Sequence, residues 1–165
     1  MQTNTITKMF EYNLWANTRL IEFCGQLTEE QLTIEVAGAF GRIRPTLVHF
    51  IRSEGGYLRR LTGTAPWGDD LDWDNMPFSE LLAKAQLSGQ RLIEVASQVD
   101  PEVTHTITAP WGKPFTFYNW TVVLQALYHG IEHRTQMKML LTQLGVEHSD
   151  LSAWDYLESF PFNEK

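Results

Sequence analysis

The chain has 165 residues, of which 43% are hydrophobic and 20% are charged, and this length and composition are typical of a globular protein with one sizeable core. We therefore predict a single domain over residues 1–165. The 20 acidic and 13 basic residues give a formal net charge of −7, which argues against nucleic acid as a partner because binding to phosphates requires basic patches.

Three further features predict a soluble cytoplasmic protein. No hydrophobic run approaches the roughly 18 apolar residues of a membrane span, so we expect no membrane partner. The N-terminus, from Met1 to Ile6, lacks the basic start and the apolar stretch of a secretory signal. Cys24 is the single cysteine, which excludes an intrachain disulfide and a thiolate metal cluster.

We predict the first helix from Thr5 to Gly25, where the glycine favours a stop. Asn13 and Asn17 interrupt its apolar stripe. They are either hydrogen-bonded core amides, which we favour, or polar groups that line a cavity. The stripe itself has helical spacing and consists of Ile6, Phe10, Leu14, Leu20, Ile21 and Cys24.

The second helix is predicted from Pro45, a residue suited to a first helical turn, to Leu61. An irregular loop from Thr62 to Pro77 follows it. A cluster of arginines on and before this helix forms either a local positive surface or, as we favour, a solvated helix face with glutamates nearby. The cluster consists of Arg42, Arg44, Arg52, Arg59 and Arg60.

The remaining chain predicts two more long helices, a hairpin and a short last helix. The third helix extends from Phe78 to Val99, and β-branched and aromatic residues from Thr104 to Tyr118 predict a short hairpin. The fourth helix extends from Asn119 to Leu144, and a brief helix lies between Asp150 and Phe160. The predicted fold class is all-α, a four-helix bundle with a short β-hairpin before the last long helix and a small C-terminal helix.

His129 and His133 lie one helical turn apart on the apolar stripe of the fourth helix. At about 100° per residue, positions four apart differ by only about 40°, so both imidazoles are expected to point toward the core. Two neighbouring buried imidazoles need polar partners and cannot both be charged. Either they are hydrogen-bonded core histidines or they bind a metal ion, for which neutral imidazole is the commonest ligand.

A third ligand must come from elsewhere in the chain. His105 in the hairpin and His148 after Gly145 are both predicted at the surface. His49 is rotated by about 200° from Leu47, so its pattern alone predicts an exposed side chain.

The whole chain resembles the DinB-like, damage-inducible superfamily, which also includes the YfiT-type proteins described as metal-dependent hydrolases and thiol S-transferases. The resemblance implies that three histidines at the matching positions, His49, His129 and His133, bind a divalent metal, and Thr135 stands where a glycine is common. It also implies a homodimer. The matching pieces are Tyr12–Asn17, Leu47–His49 with Glu54, His129-x-x-x-His133-Arg134-x-Gln136, Leu144–Val146 and Asp155–Leu157.

The segment from His129 to His133 also fits the bare H-x-x-E-H pattern of the inverzincin metalloproteases, in which the glutamate is the general base. Those enzymes need an acidic third ligand well downstream. Only 32 residues follow His133, and Glu147, the first glutamate among them, lies just past the predicted helix end. We therefore interpret Glu132 as a surface carboxylate or as a partner that orients a ligand.

Three histidines leave a coordination position open, as in catalytic zinc sites, and zinc or nickel would suit them. A water there would become a nucleophile near neutral pH, whereas a low-molecular-weight thiol would become a thiolate, which the resemblance favours. We expect a metal-dependent transferase or hydrolase of a small molecule, or alternatively a non-catalytic stress-related protein that binds metal or a small ligand. Candidate pocket or outer-shell residues are Asn13, Asn17, Glu132 and Gln136.

Overall fold

A computed structural model describes residues 4–35 and 41–160. Within these ranges the chain forms six helices and one two-stranded antiparallel sheet. In chain order the elements are α1 Thr5–Cys24, α2 Glu29–Thr33, α3 Ile43–Thr62, α4 Phe78–Ala96, β1 Thr104–Thr108, β2 Pro114–Tyr118, α5 Asn119–Gln143 and α6 Ala153–Glu158. The ends of the predicted domain, residues 1–3 and 161–165, lie outside the described residues.

The four long helices form a bundle, with the hairpin before α5 and the small helix α6 at the end of the chain, so the predicted fold class is confirmed. Helix α1 packs mainly on α4, whereas α3 packs on both α4 and α5. Among the described residues, no helix is long and apolar enough to cross a membrane. The largest side chains in the core are Phe10, Leu20, Ile21, Ile43, Leu47, Phe50, Ile51, Leu58, Leu81, Leu92, Met137 and Leu140.

Two helix boundaries differ from the sequence prediction by two or more residues, and one short helix was not predicted. Helix α3 begins at Ile43 rather than Pro45. Proline is tolerated throughout the first helical turn, because the N–H groups there have no helical acceptor, so Pro45 does not have to be the first residue of the helix. Helix α4 ends at Ala96, three residues before Val99. Helix α2 was not predicted, because its five residues, of which only Leu32 is buried, are too few to show a helical period.

A buried polar network connects all four long helices. Asn13 and Asn17 of α1 each donate an amide N–H to the Oε1 of Glu54 on α3, at 3.0 and 2.8 Å. Their carbonyl oxygens accept hydrogen bonds from the Nη1 of Arg134 on α5, at 2.7 and 2.5 Å. Ser88 of α4 donates its hydroxyl to the Oε2 of Glu54 at 2.5 Å. The two asparagines are therefore hydrogen-bonded core amides.

Gly130 makes room for this network on the inner side of α5. A Cβ atom at this position would lie 2.6 Å from the Oδ1 of Asn13 and 2.9 Å from the Nη1 of Arg134. Both distances are shorter than real Cβ contacts, and both atoms are held by the network. A side chain here would therefore push the guanidinium away from its acceptors.

We predict that Gly130→Ala lowers the free energy of unfolding by about 1–3 kcal/mol, the usual cost of overpacking a core. The measurement is urea unfolding followed by circular dichroism. Gly68→Ala is the matched control, because nothing lies within 4 Å of a Cβ at that position. Equal unfolding midpoints for the two variants would contradict the close packing assigned to Gly130.

Candidate metal centre

The structure brings His49 of α3 together with His129 and His133 of α5. The Nε2 of His129 lies 3.2 Å from the Nε2 of His49 and 3.2 Å from the Nε2 of His133. One ligand nitrogen from each of the three residues lies within 4.8 Å of the other two. His133 is buried, with 5% of its surface exposed, and His49 and His129 are half-buried.

The exposed position that periodicity predicts for His49 is therefore wrong. Helix α3 packs against both α4 and α5, so a second face of this helix is covered besides the face that carries Leu47 and Ile51. His49 lies on that second face, toward α5. An apolar stripe identifies only one buried face of a helix. Because α3 has a second covered face, the stripe alone predicts the wrong environment for His49.

Gln136 orients the imidazole of His133. The Nδ1 of His133 lies 3.0 Å from the carbonyl Oε1 of Gln136, and this oxygen can only accept, so Nδ1 carries the proton. In a neutral imidazole the lone pair is then on Nε2, the atom that faces His129. A side-chain carbonyl behind a histidine is a usual arrangement around metal ligands, because it fixes both the tautomer and the ring orientation.

The donor set fits a small divalent cation. Zn–N bonds of about 2.0–2.1 Å at tetrahedral angles place neighbouring nitrogens about 3.3 Å apart, close to the two separations of 3.2 Å in this cluster. Hydrogen bonds alone satisfy the arrangement poorly, because a single N–H on the Nε2 of His129 cannot be directed well at two acceptors. A cation can be bound by all three lone pairs at once.

All three imidazoles are held in the neutral form that binds metals. Burial, followed by the charges of His133 and His49, lowers the pKa of His129 to about 4. Burial also lowers the pKa of His49, with a further contribution from His133. The pKa of His133 is lowered by burial, although its hydrogen bond to Gln136 and the charge of Glu132 oppose that change.

Aromatic rings surround the cluster. Phe50 stacks on the ring of His133, with 6.3 Å between centroids, and Tyr57 meets the ring of His129 edge-on at 5.8 Å. Burial raises the pKa of Tyr57, so its phenol is protonated at neutral pH. No sequence pattern indicates Tyr57. It follows His49 by eight residues, which corresponds to a rotation of about 80° around the helix axis, and no motif includes its position.

The remaining candidates lie outside the donor cluster. Glu132 is exposed on the outer side of α5, and within the described residues no carboxylate belongs to the cluster, which disfavours the inverzincin interpretation. His105 and His148 are half-buried rather than fully at the surface, and they contact Asn119 and Thr142 respectively.

These features define a helical-bundle protein with three convergent histidines. The DinB family model matches residues 1–162, and the chain belongs to the DinB family. It is also similar to the uncharacterized protein YizA of Bacillus subtilis (strain 168). The two chains are 24% identical over 144 residues, which cover 83% of this chain and 86% of YizA.

Glu54 gives a test of the network that supports the site. Burial raises its pKa to about 7 from 4.5, against the opposing effects of Ser88, Asn13, Arg134 and Asn17. The folded chain thus keeps this proton to a higher pH than the unfolded chain. The contribution of Glu54 to the free energy of unfolding is therefore full below pH 4.5 and falls by up to about 3 kcal/mol as the pH rises through 7.

We predict that between pH 4.5 and 7.5 the unfolding free energy of the wild-type protein falls by this amount relative to that of Glu54→Gln. The comparison of the two proteins cancels the titration of the histidines, which both share. Urea unfolding at each pH measures the difference. A difference that does not change with pH would show that Glu54 is already ionised in the folded protein at pH 4.5.

Proposed function

We propose that the protein binds one divalent metal ion, zinc or nickel, through His49, His129 and His133, and that it is a metal-dependent enzyme, a thiol S-transferase or a hydrolase, acting on a small molecule. The observation that supports this most is the convergence of three neutral imidazole nitrogens from two helices. Such an ion, with one position open, lowers the pKa of a bound water or thiol and so supplies a nucleophile near neutral pH.

The residues of the chain would contribute orientation and a restricted environment. Gln136 holds His133 in the tautomer whose Nε2 faces the cluster. Phe50 and Tyr57 pack on two of the imidazole rings, which limits the directions from which water approaches. The Tyr57 phenol, with its raised pKa, is suited to donate a hydrogen bond to a substrate oxygen rather than to act as a base.

A specific observation favours the alternative, a non-catalytic stress-related protein that binds metal or a small ligand. The side chains that pack on the imidazoles are aromatic, and among the described residues no carboxylate lies with the donor atoms to act as a general base. An enzyme of the proposed kind would then depend on the nucleophile that the ion supplies. For this reason the test has to measure turnover as well as metal content.

We predict that protein purified without an affinity tag contains about one zinc or nickel ion per chain by elemental analysis. His133→Ala should retain less than a tenth of this metal. Gln136→Ala should bind the metal about 10–100-fold more weakly, as expected for loss of an outer-shell partner. His148→Ala is the matched control, because this histidine lies outside the cluster, and it should bind metal like the wild type.

Turnover of an electrophile with a low-molecular-weight thiol, and of an ester without thiol, then distinguishes the transferase, the hydrolase and the binding protein. We expect His133→Ala to lose the activity and His148→Ala to keep it. A protein that stays metal-free after addition of zinc and nickel would contradict the whole proposal. A metal-loaded protein that turns over neither substrate class would leave the non-catalytic function in its place.

We further propose a cytoplasmic location, with which the buried thiol of Cys24 is compatible, and a homodimer. The outer face of α5 exposes an apolar row that extends over about 28 Å of helix. From Asn119 to Ile131 this helix has no charged residue, so a second copy could pack on it without burying like charges. The row consists of Trp120, Leu124, Tyr128, Ile131 and Met139.

If this row forms the interface between two copies, Leu124→Lys should shift the protein from dimer to monomer in sedimentation velocity. Leu87→Lys is the matched control, because Leu87 is similarly exposed but lies on α4. A wild-type protein that sediments as a monomer at all concentrations would refute the dimer.

A further inference from the structure

A groove of about 960 Å³ lies between the second half of α3, the loop that follows it and the hairpin. This volume is in the range of small-molecule sites. None of the three clustered histidines lines it, so it is a separate feature from the candidate metal centre. The side chains that give it chemical character are Arg52, Arg59, Arg60, Trp67, Trp73 and His105.

The groove is positively charged although the protein is acidic overall. Asp69 is the one acidic side chain among its described lining residues, and it pairs with Arg59. Arg60 donates to the backbone oxygen of Gly56, which leaves its positive charge without a carboxylate. Arg52 forms no hydrogen bond or ion pair within residues 4–35 and 41–160. Arg52, Arg59 and Arg60 are exposed, as the predicted solvated helix face requires, but no glutamate is among the described residues that line the groove with them.

One wall of the groove carries two indole rings. Trp67 lies directly against Gly55, where any Cβ would collide with the indole. Trp73 meets Trp67 edge-on, with 5.3 Å between ring centroids, and is itself buried. Indoles held by such packing offer apolar aromatic surface at small entropic cost and suit a ligand with a planar aromatic body.

The opposite wall holds an oriented histidine. The side-chain amide of Asn119 donates to the backbone oxygen of Asp100 at 2.9 Å, so its Oδ1 accepts a hydrogen bond from the Nε2 of His105 at 2.9 Å. The imidazole also stacks on Phe117 at 5.6 Å. Both contacts fix the orientation of this ring, which lines the groove.

We propose that this groove binds a small organic anion, a carboxylate or a phosphate ester that carries a planar apolar body. The guanidinium groups of Arg52 and Arg60 hold the anionic end, because guanidinium matches both oxyanions in shape and charge. The indole wall holds the planar body. If the proposed function holds, we further infer that the anion bound in this groove is the part of the substrate that lies remote from the metal centre.

Helix geometry supports that second part. Gly56 and Arg60 follow His49 by seven and eleven residues, so both lie within about 20° of its direction around the axis of α3. At about 1.5 Å per residue they lie roughly 10 and 16 Å further along the helix. A ligand of ordinary size can therefore extend along one face of α3 from the arginines toward the histidines.

Isothermal titration calorimetry with the full chain, as purified and after treatment with a chelator, tests the groove independently of the metal. The probes are 2-naphthoate and 2-naphthyl phosphate, with uncharged 2-naphthol and inorganic phosphate as comparisons. We expect both naphthyl anions to bind with or without metal, each comparison compound to bind at least tenfold more weakly, and higher salt to weaken the anions. The stronger of the two anions identifies the preferred oxyanion.

The double variant Arg52→Gln/Arg60→Gln should bind the naphthyl anions at least tenfold more weakly, while its melting temperature stays close to that of the wild type. Arg91→Gln is the matched control, because Arg91 is an exposed arginine of α4 that pairs with Glu94 outside the groove. Equal binding of naphthol and naphthoate, or unchanged binding by the double variant, would overturn the proposal. Loss of binding on chelation would also overturn it, since the anion would then be bound at the metal.

Discussion

The buried hydrogen-bond network of Arg134, Asn13, Asn17 and Glu54 is the constraint on which the rest of the bundle depends. Removing one member of such a network leaves a buried polar group unsatisfied, which costs about 1–3 kcal/mol and more where the group is charged. Arg134 belongs to α5 and Glu54 to α3, and the amides between them belong to α1. A rotation or slip of any of these helices would break several hydrogen bonds at once, so the network specifies their relative positions.

That specification extends directly to the histidines. His133 immediately precedes Arg134, and His49 lies five residues before Glu54, so fixing the two charged residues also fixes the rotation of the helices that carry the imidazoles. The asparagines have a further role, because each amide presents oxygen to the guanidinium and nitrogen to the carboxylate. An aspartate in either position would have no N–H to donate to Glu54, and an aliphatic residue would leave polar atoms of both Arg134 and Glu54 unsatisfied.

Much of the fold could be predicted because each long helix shows one apolar stripe, but a stripe describes only one face. Helix α3 is covered on two sides, and His49 lies on the side that has no apolar period, so only the resemblance to a family identified it. The partners of Asn17 could not be predicted either, since Arg134 is 117 residues away. The pairing of His129 with His133 was predictable from spacing because both belong to one helix.

Helix α3 contributes side chains to three electrostatic environments within twenty residues, at different positions around and along its axis. Glu54 faces the amides of α1, His49 faces α5, and Arg52 and Arg60 face the loop and hairpin. The arginines of the groove are exposed, whereas Glu54 is buried. Water therefore screens the interaction of the arginines with Glu54 more strongly than their interaction with a ligand bound beside them. An anion in the groove thus gains from the arginines while the imidazoles, whose pKa values are lowered mainly by burial, remain neutral and available to a metal.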